Sequence, residues 1–258
     1  MALMLSTKRF DCDARTADEA KRQTIMGSRI LANEGIVDGL GHVSVRNPEN
    51  PNTFFQTCSV SPEFACLDDV MEIDLEGTVV QGIEGKKPFG ERILHARVLA
   101  SRPDMHCVFH GHPSPLIPFS LCPEIPLKPA FNYGSLYYNG LAYYDASDVS
   151  SGMIVLTPEE GDRVARALGD KWACLMRGHG VTVCAENVAQ LVYDAILLVK
   201  AAEVYLECLK TGENSIICSE EEGRVYRNIM HGDNVLVRIW DYYVARAKKA
   251  MPDIADVI

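Results

Sequence analysis

The stretch Val108-Phe109-His110-Gly111-His112-Pro113 constrains this chain more than any other. Residues Met105 to Phe109 are mostly apolar and include β-formers, as in a buried strand. Two histidines at i and i+2 of a strand point to one face, because side chains alternate along it. Gly111 leaves the opposite face open at that level. A third histidine sits in Arg177-Gly178-His179-Gly180, between the apolar runs Trp172 to Met176 and Val181 to Cys184. Three imidazoles make a cation site with positions left open to substrate. A His-x-His pair alone reads as an accident of a half-buried strand. The glycines around all three histidines, together with a carboxylate at Glu91, turn the reading to a metal.

A length of 258 residues accommodates one large domain with a full core, and we expect one domain over 1–258, with residues 1–15 as a loose arm. Hydrophobic residues make up 47%, and the formal charge of -10 argues against a broad nucleic-acid or anionic-membrane surface. Nine cysteines without a Cys-x-x-Cys pair, several of them inside apolar runs, read as reduced, mostly buried thiols of a cytoplasmic protein. Met1 to Thr16 has no long apolar segment of a secretory leader, and no uncharged apolar run approaches the ~20 residues of a membrane helix.

Along the chain, Thr16 to Glu19 is a capping box that opens a helix ending at Gly35. A glycine-rich bend then leads into His42-Val43-Ser44-Val45-Arg46, where His42, Ser44 and Arg46 share one strand face. That face suits an anionic ligand or plain solvent equally well. Short strands are expected at Phe54 to Thr57, Val70 to Ile73 and Thr78 to Gln81, with a loop at Ser59 to Glu63. A helix from Gly90 to Ser101 places Glu91 in its first turn, where the dipole favours a carboxylate, and His95 four residues on as a packed, hydrogen-bonded histidine. The Pro-, Gly- and Tyr-rich segment Pro123 to Tyr144 reads as a loop packed on its aromatics. Helices follow from Thr157 to Gly169, Glu186 to Lys210, after Ser219, and from Asp233 to Ala250.

Taken together, Gly41-His42-Val43-Ser44-Val45-Arg46, Pro88-Phe89-Gly90-Glu91, His110-Gly111-His112-Pro113 and Arg177-Gly178-His179-Gly180 resemble the class II aldolase/adducin family from about Ala20 to Leu209. The resemblance implies an α/β fold of three layers, α/β/α, around a central, mainly antiparallel sheet. It also implies a divalent metal (Zn, Mn, Fe or Co) on His110, His112 and His179, with Glu91 as an extra ligand or proton carrier, in a homotetramer with sites between subunits.

Phosphosugar aldolases of that family hold phosphate with hydroxyl and amide donors. At those places this chain has Leu40-Gly41-His42, Pro62-Glu63 and Phe89-Gly90, so a phosphate dianion would lose most of its hydrogen bonds and meet Glu63. The motifs look more like the branch that decarboxylates hydroxylated aromatic and pyridine dicarboxylates. In that reading the partner is a small-molecule carboxylate bound by His42, Ser44, Arg46, Ser61 and Arg177, with Glu91 and His42 catalytic. An aldolase acting on an unphosphorylated carboxylated substrate is the nearest alternative, and a non-catalytic adducin-like binding module a further one.

Overall fold

The computed structural model describes residues 13–147, 152–212 and 215–257. Within them, strands β1 (His42–Arg46), β2 (Thr53–Thr57), β3 (Val70–Asp74), β4 (Val79–Gln81), β5 (Cys107–Gly111), β6 (Ala142–Tyr144), β7 (Ala173–Met176) and β8 (Gly180–Ala185) form one sheet. Its order is β4-β3-β2-β1-β5-β8-β7-β6, and every neighbouring pair is antiparallel except β6 with β7. The helices are α1 (Ala17–Asn33), α2 (Arg92–Ser101), α3 (Ile117–Leu121), α4 (Pro158–Leu168), α5 (Val188–Lys210), α6 (Glu220–Met230) and α7 (Asp233–Ala250).

Local chemistry explains where the helices begin. Thr16 accepts the Glu19 N–H at 3.2 Å while the Glu19 carboxylate accepts the Thr16 N–H, closing the box that starts α1. Thr157 with Glu160 and Ser219 with Glu222 repeat the device at α4 and α6, and the Asn187 side chain accepts the Gln190 N–H to start α5.

Alternation along the strands then builds two cores. Val43, Val45, Phe55, Phe109, Val181 and Val183 pack beneath the layer of α1, α5 and α7. Phe54, Met71, Val108, Cys174, Met176 and Cys184 pack beneath α2 and α4 on the other face. The result is the three-layer α/β/α arrangement with a mainly antiparallel sheet. Phe54, Phe55 and Phe109 are fully buried, and each contributes roughly 2 kcal/mol by leaving water.

The second face of β1 does not meet plain solvent. His42, Ser44 and Arg46 are buried, because β1 lies fourth of eight strands and α2 covers it. The loop expected over Pro123 to Tyr144 contains a 3-10 turn at Gly134–Tyr137 and ends in β6, whose three residues are too few to register as a strand pattern. Helix α6 docks through a buried acid. Asp194, inside α5, pairs with Arg227 Nη2 at 3.2 Å and His231 Nε2 at 2.8 Å, and the Arg227 guanidinium lies 3.6 Å from the centre of the Trp172 ring.

At one end of β5 and β8 two backbones nearly touch. A Cβ on Gly180 would stand 2.3 Å from the Gly111 carbonyl oxygen and 2.9 Å from His112 Cδ2. Since the obstruction is backbone, it cannot rotate aside. Gly180→Ala is expected to cost about 3 kcal/mol of stability and to separate the two histidine-bearing segments. Thermal melts and metal titration of the variant check this; a wild-type melting temperature with unchanged metal affinity contradicts it.

Candidate metal centre

Four side chains from separate parts of the chain meet at this end of the sheet. His110, next to last in β5, is flanked in register by His42 on β1 and Thr182 on β8. Its Nδ1 is 3.3 Å from Thr182 Oγ1, which orients the fully buried ring and leaves Nε2 as the ligand atom. His112, just past the strand end, brings its Nε2 to 3.2 Å from His110 Nε2. His179 lies in the turn between β7 and β8, where Gly178 adopts φ 60°, and its ring stacks on His112 at 4.9 Å.

Glu91 occupies the N-cap position of α2, one residue before the helix expected to contain it. Its Oε2 is 3.4 Å from His110 Nε2 and 3.7 Å from His179 Nε2, while Oε1 accepts the Val155 N–H at 3.1 Å. One ligand atom from each of the four lies within 4.8 Å of the others. Nitrogens about 2.1 Å from a tetrahedral cation stand about 3.4 Å apart, so the spacing fits a single ion.

Electrostatics prepares the same set. Burial, followed by the neighbouring His110, lowers the His112 pKa and takes that of His179 down to about 4. Both rings are therefore neutral near pH 7, with lone pairs available. Burial alone would raise the Glu91 pKa, but His110 and His179, with the Val155 N–H, outweigh it and hold the carboxyl well below the ordinary carboxylate range. Three imidazoles and one carboxylate suit Zn, Mn, Fe or Co.

Behind the ligands runs a buried polar file. His42 Nδ1 and His95 Nε2 are 2.7 Å apart, as are His95 Nδ1 and Ser44 Oγ. Burial, and then neighbouring histidines, hold both ring pKa values well below the ordinary one. The His42 ring packs 4.6 Å from Phe89 and 5.4 Å from His110, centre to centre.

Two expected substrate contacts need correction. Arg46 points away from the ligands, and its guanidinium donates to the carbonyls of Leu99, Pro51, Met105 and Arg102, the shortest at 2.7 Å. It joins β1 to the far end of α2 and to the segment leading into β5, and it is structural. Ser44 is fully buried against His95 and does not line an open site. Ser61 is half-buried and precedes a 3-10 turn, Pro62–Phe64, without capping it. That segment approaches the Glu91 loop, since the Ser59 N–H donates to the Lys87 carbonyl at 2.7 Å. Arg177, one turn residue before Gly178, pairs with Asp145 at 2.6 Å.

Sequence reasoning missed Thr182 and Phe89 as site residues. Thr182 lies in an apolar run with no periodic signal and is found only through the β5–β8 register. Phe89 stood in the Pro88-Phe89-Gly90-Glu91 motif without a role, and the structure sets it against His42.

Comparison with known proteins agrees with this fold. The family model described as Class II Aldolase and Adducin N-terminal domain matches residues 22–206. A 3,4-dihydroxyphthalate decarboxylase of Arthrobacter keyseri is 29% identical over 203 residues, covering 75% of this chain and 80% of that protein. A 5-methylthioribulose-1-phosphate/5-deoxyribulose-1-phosphate aldolase of Rhodospirillum rubrum is 28% identical over 227 residues, covering 81% of this chain and 96% of that one. The L-fuculose 1-phosphate aldolase of Glaciozyma antarctica superposes with a TM-score of 0.76 at 21% identity, over 92% of this chain and 91% of that chain, which speaks for the fold.

Two outcomes are expected. Arg46→Ala should cost about 3 kcal/mol, because it orphans several buried carbonyls, yet leave metal affinity unchanged; calorimetry and metal titration separate the two effects. In the metal-free protein, His112 and His179 accept protons near pH 6.5 when unfolded and only at lower pH when folded, so the unfolded state binds more protons in between. Stability should fall as pH drops from about 6.5 to about 4, and His179→Gln should flatten that slope in a melting series.

Proposed function

The chain belongs to the class II aldolase and adducin family, and on that premise we propose that it is a divalent-metal-dependent carbon–carbon lyase that decarboxylates a hydroxylated aromatic or pyridine dicarboxylate. The observation that carries this reading is the convergent candidate ligand set, Glu91, His110, His112 and His179, beside positions that offer a phosphate few donors. A binding module without turnover has no use for four convergent ligands.

Phosphate recognition is disfavoured by what surrounds the ligands. Leu40 and Glu63 are exposed, and Phe89, tilted against His42 with 4.6 Å between ring centres, gives the site an apolar wall. A planar ring suits that wall better than a phosphorylated sugar chain. The Arthrobacter keyseri relative, a 3,4-dihydroxyphthalate decarboxylase, acts on a substrate of this class.

A divalent cation bound there supplies Lewis acidity to an oxygen next to the carbon that loses its carboxylate. Glu91, ionised in the resting site, accepts the proton of the substrate's ring hydroxyl. As the C–C bond breaks, its electron pair stays on the ring carbon and CO2 leaves. Glu91 then returns the proton to that carbon, so the balance is one proton kept and one carboxylate lost as CO2. His42 and Arg177 hold the carboxylate that remains, and burial of the ligand rings keeps competing water away. Retro-aldol cleavage of an unphosphorylated carboxylated substrate would use the same proton handling, and the Rhodospirillum rubrum relative, an aldolase, is the reason to test for it.

The test is CO2 release from a panel of hydroxylated aromatic and pyridine dicarboxylates by zinc- or manganese-loaded protein, with and without chelator. Chelator-sensitive CO2 release is expected. An aldehyde or keto acid product instead of CO2 would move the assignment to aldol chemistry, and a metal-loaded protein inert to both panels overturns the lyase reading. Glu91→Gln should retain the metal and lose turnover by roughly 100-fold or more; unchanged turnover removes Glu91 from the chemistry.

A further inference from the structure

The file Ser44–His95–His42 has a direction. Each link is 2.7 Å, so each carries one proton between its two heavy atoms. Two self-consistent arrangements exist. In the first, the Ser44 hydroxyl donates to His95 Nδ1, His95 Nε2–H donates to His42 Nδ1, and His42 keeps its own proton on Nε2. In the second, both bonds reverse, and His42 presents a bare Nε2.

Reversal leaves the Ser44 hydroxyl proton with nowhere to go. Ser44 is fully buried, and His95 is its one side-chain partner among the described residues. The amide of Gln56, opposite Ser44 in the β1–β2 register, has no hydrogen-bond partner among the described residues, Ser44 included. A buried donor without an acceptor is costlier than an unused lone pair on a satisfied oxygen, so the first arrangement prevails. His42 lies opposite His110 in register but outside the convergent group Glu91, His110, His112 and His179, and in this arrangement its protonated Nε2 has no lone pair to give a cation.

We infer that His95, backed by Ser44, is a positioning residue that locks His42 in its Nε2–H tautomer, making His42 a neutral hydrogen-bond donor to an anionic oxygen of the substrate rather than a base or a metal ligand. The substrate part of this inference rests on the lyase reading, and the tautomer part does not. A neutral donor suits a site next to a cation, because it binds a carboxylate without adding a second buried positive charge.

Long-range 1H–15N spectra of 15N-histidine-labelled, zinc-loaded protein test the tautomer without substrate, with His42→Gln used to assign the signals. A protonated Nε2 and an unprotonated Nδ1 are expected on His42, and the reverse pattern overturns the proposal. His95→Phe should lower kcat/KM by about 10- to 100-fold with zinc content unchanged. His95→Gln, whose amide N–H can still donate to His42 Nδ1, should recover most of it. If His95 serves packing alone, His95→Gln will be as impaired as His95→Phe, and the proposal fails. Ser44→Ala, the milder change, should shift the His95 Nδ1 signal and reduce kcat/KM less; an unmoved signal also overturns it. Should the wild-type protein release no CO2, the lyase reading falls while the spectra still decide the tautomer.

Discussion

Burying three imidazoles and a carboxylate within a few ångströms of one another removes solvation that their mutual hydrogen bonds do not restore. His110 Nε2 faces both His112 Nε2 and Glu91 Oε2, and His179 Nε2 faces the same carboxylate oxygen. A divalent ion at the centre would resolve that frustration, since each donor would then point its lone pair at positive charge. The surrounding architecture serves this convergence. Antiparallel pairing of β5 with β8 places Thr182 behind His110, the paired glycines let the strand ends close, and the N-cap position of α2 presents Glu91.

Much of this was legible in the residues themselves. The His-x-His pair declared a shared face, and its neighbouring apolar run declared a central strand. Thr16, Thr157 and Ser219, each with an acid three residues on, marked helix starts to within a residue. Family resemblance supplied the layer order, which periodicity alone does not determine. What stayed hidden depends on register and on neighbours far along the chain. Thr182 and His42 are 72 and 68 residues from His110, as 182 minus 110 and 110 minus 42, and nothing local ties them together.

Arg46 illustrates how a polar strand face can mislead. On its own strand it stands with His42 and Ser44 as though facing a ligand, and its charge invites an anion. The fold instead uses its planar group to collect carbonyls where α2 ends and the approach to β5 begins. The same face therefore divides into two jobs along five residues. Its Arg46 end closes the architecture, and its His42 end borders the ligands. Strand position decides between them, and that is a property of the whole sheet.

The buried Asp194 has a consequence for how such chains diversify. Residues matched by the family model stop at 206, and α6, which follows them, is tied to α5 through Arg227 and His231 on one buried acid, while α7 packs on α1 and α5 through Leu236, Trp240, Tyr243 and Ala247. An aspartate in that position is a socket with a fixed wiring. A C-terminal segment lacking Arg227 and His231 would leave a buried carboxylate unpaired unless other donors reached Asp194 or an apolar residue took its place. The sequence of α6 is thus coupled to a single interior site in α5.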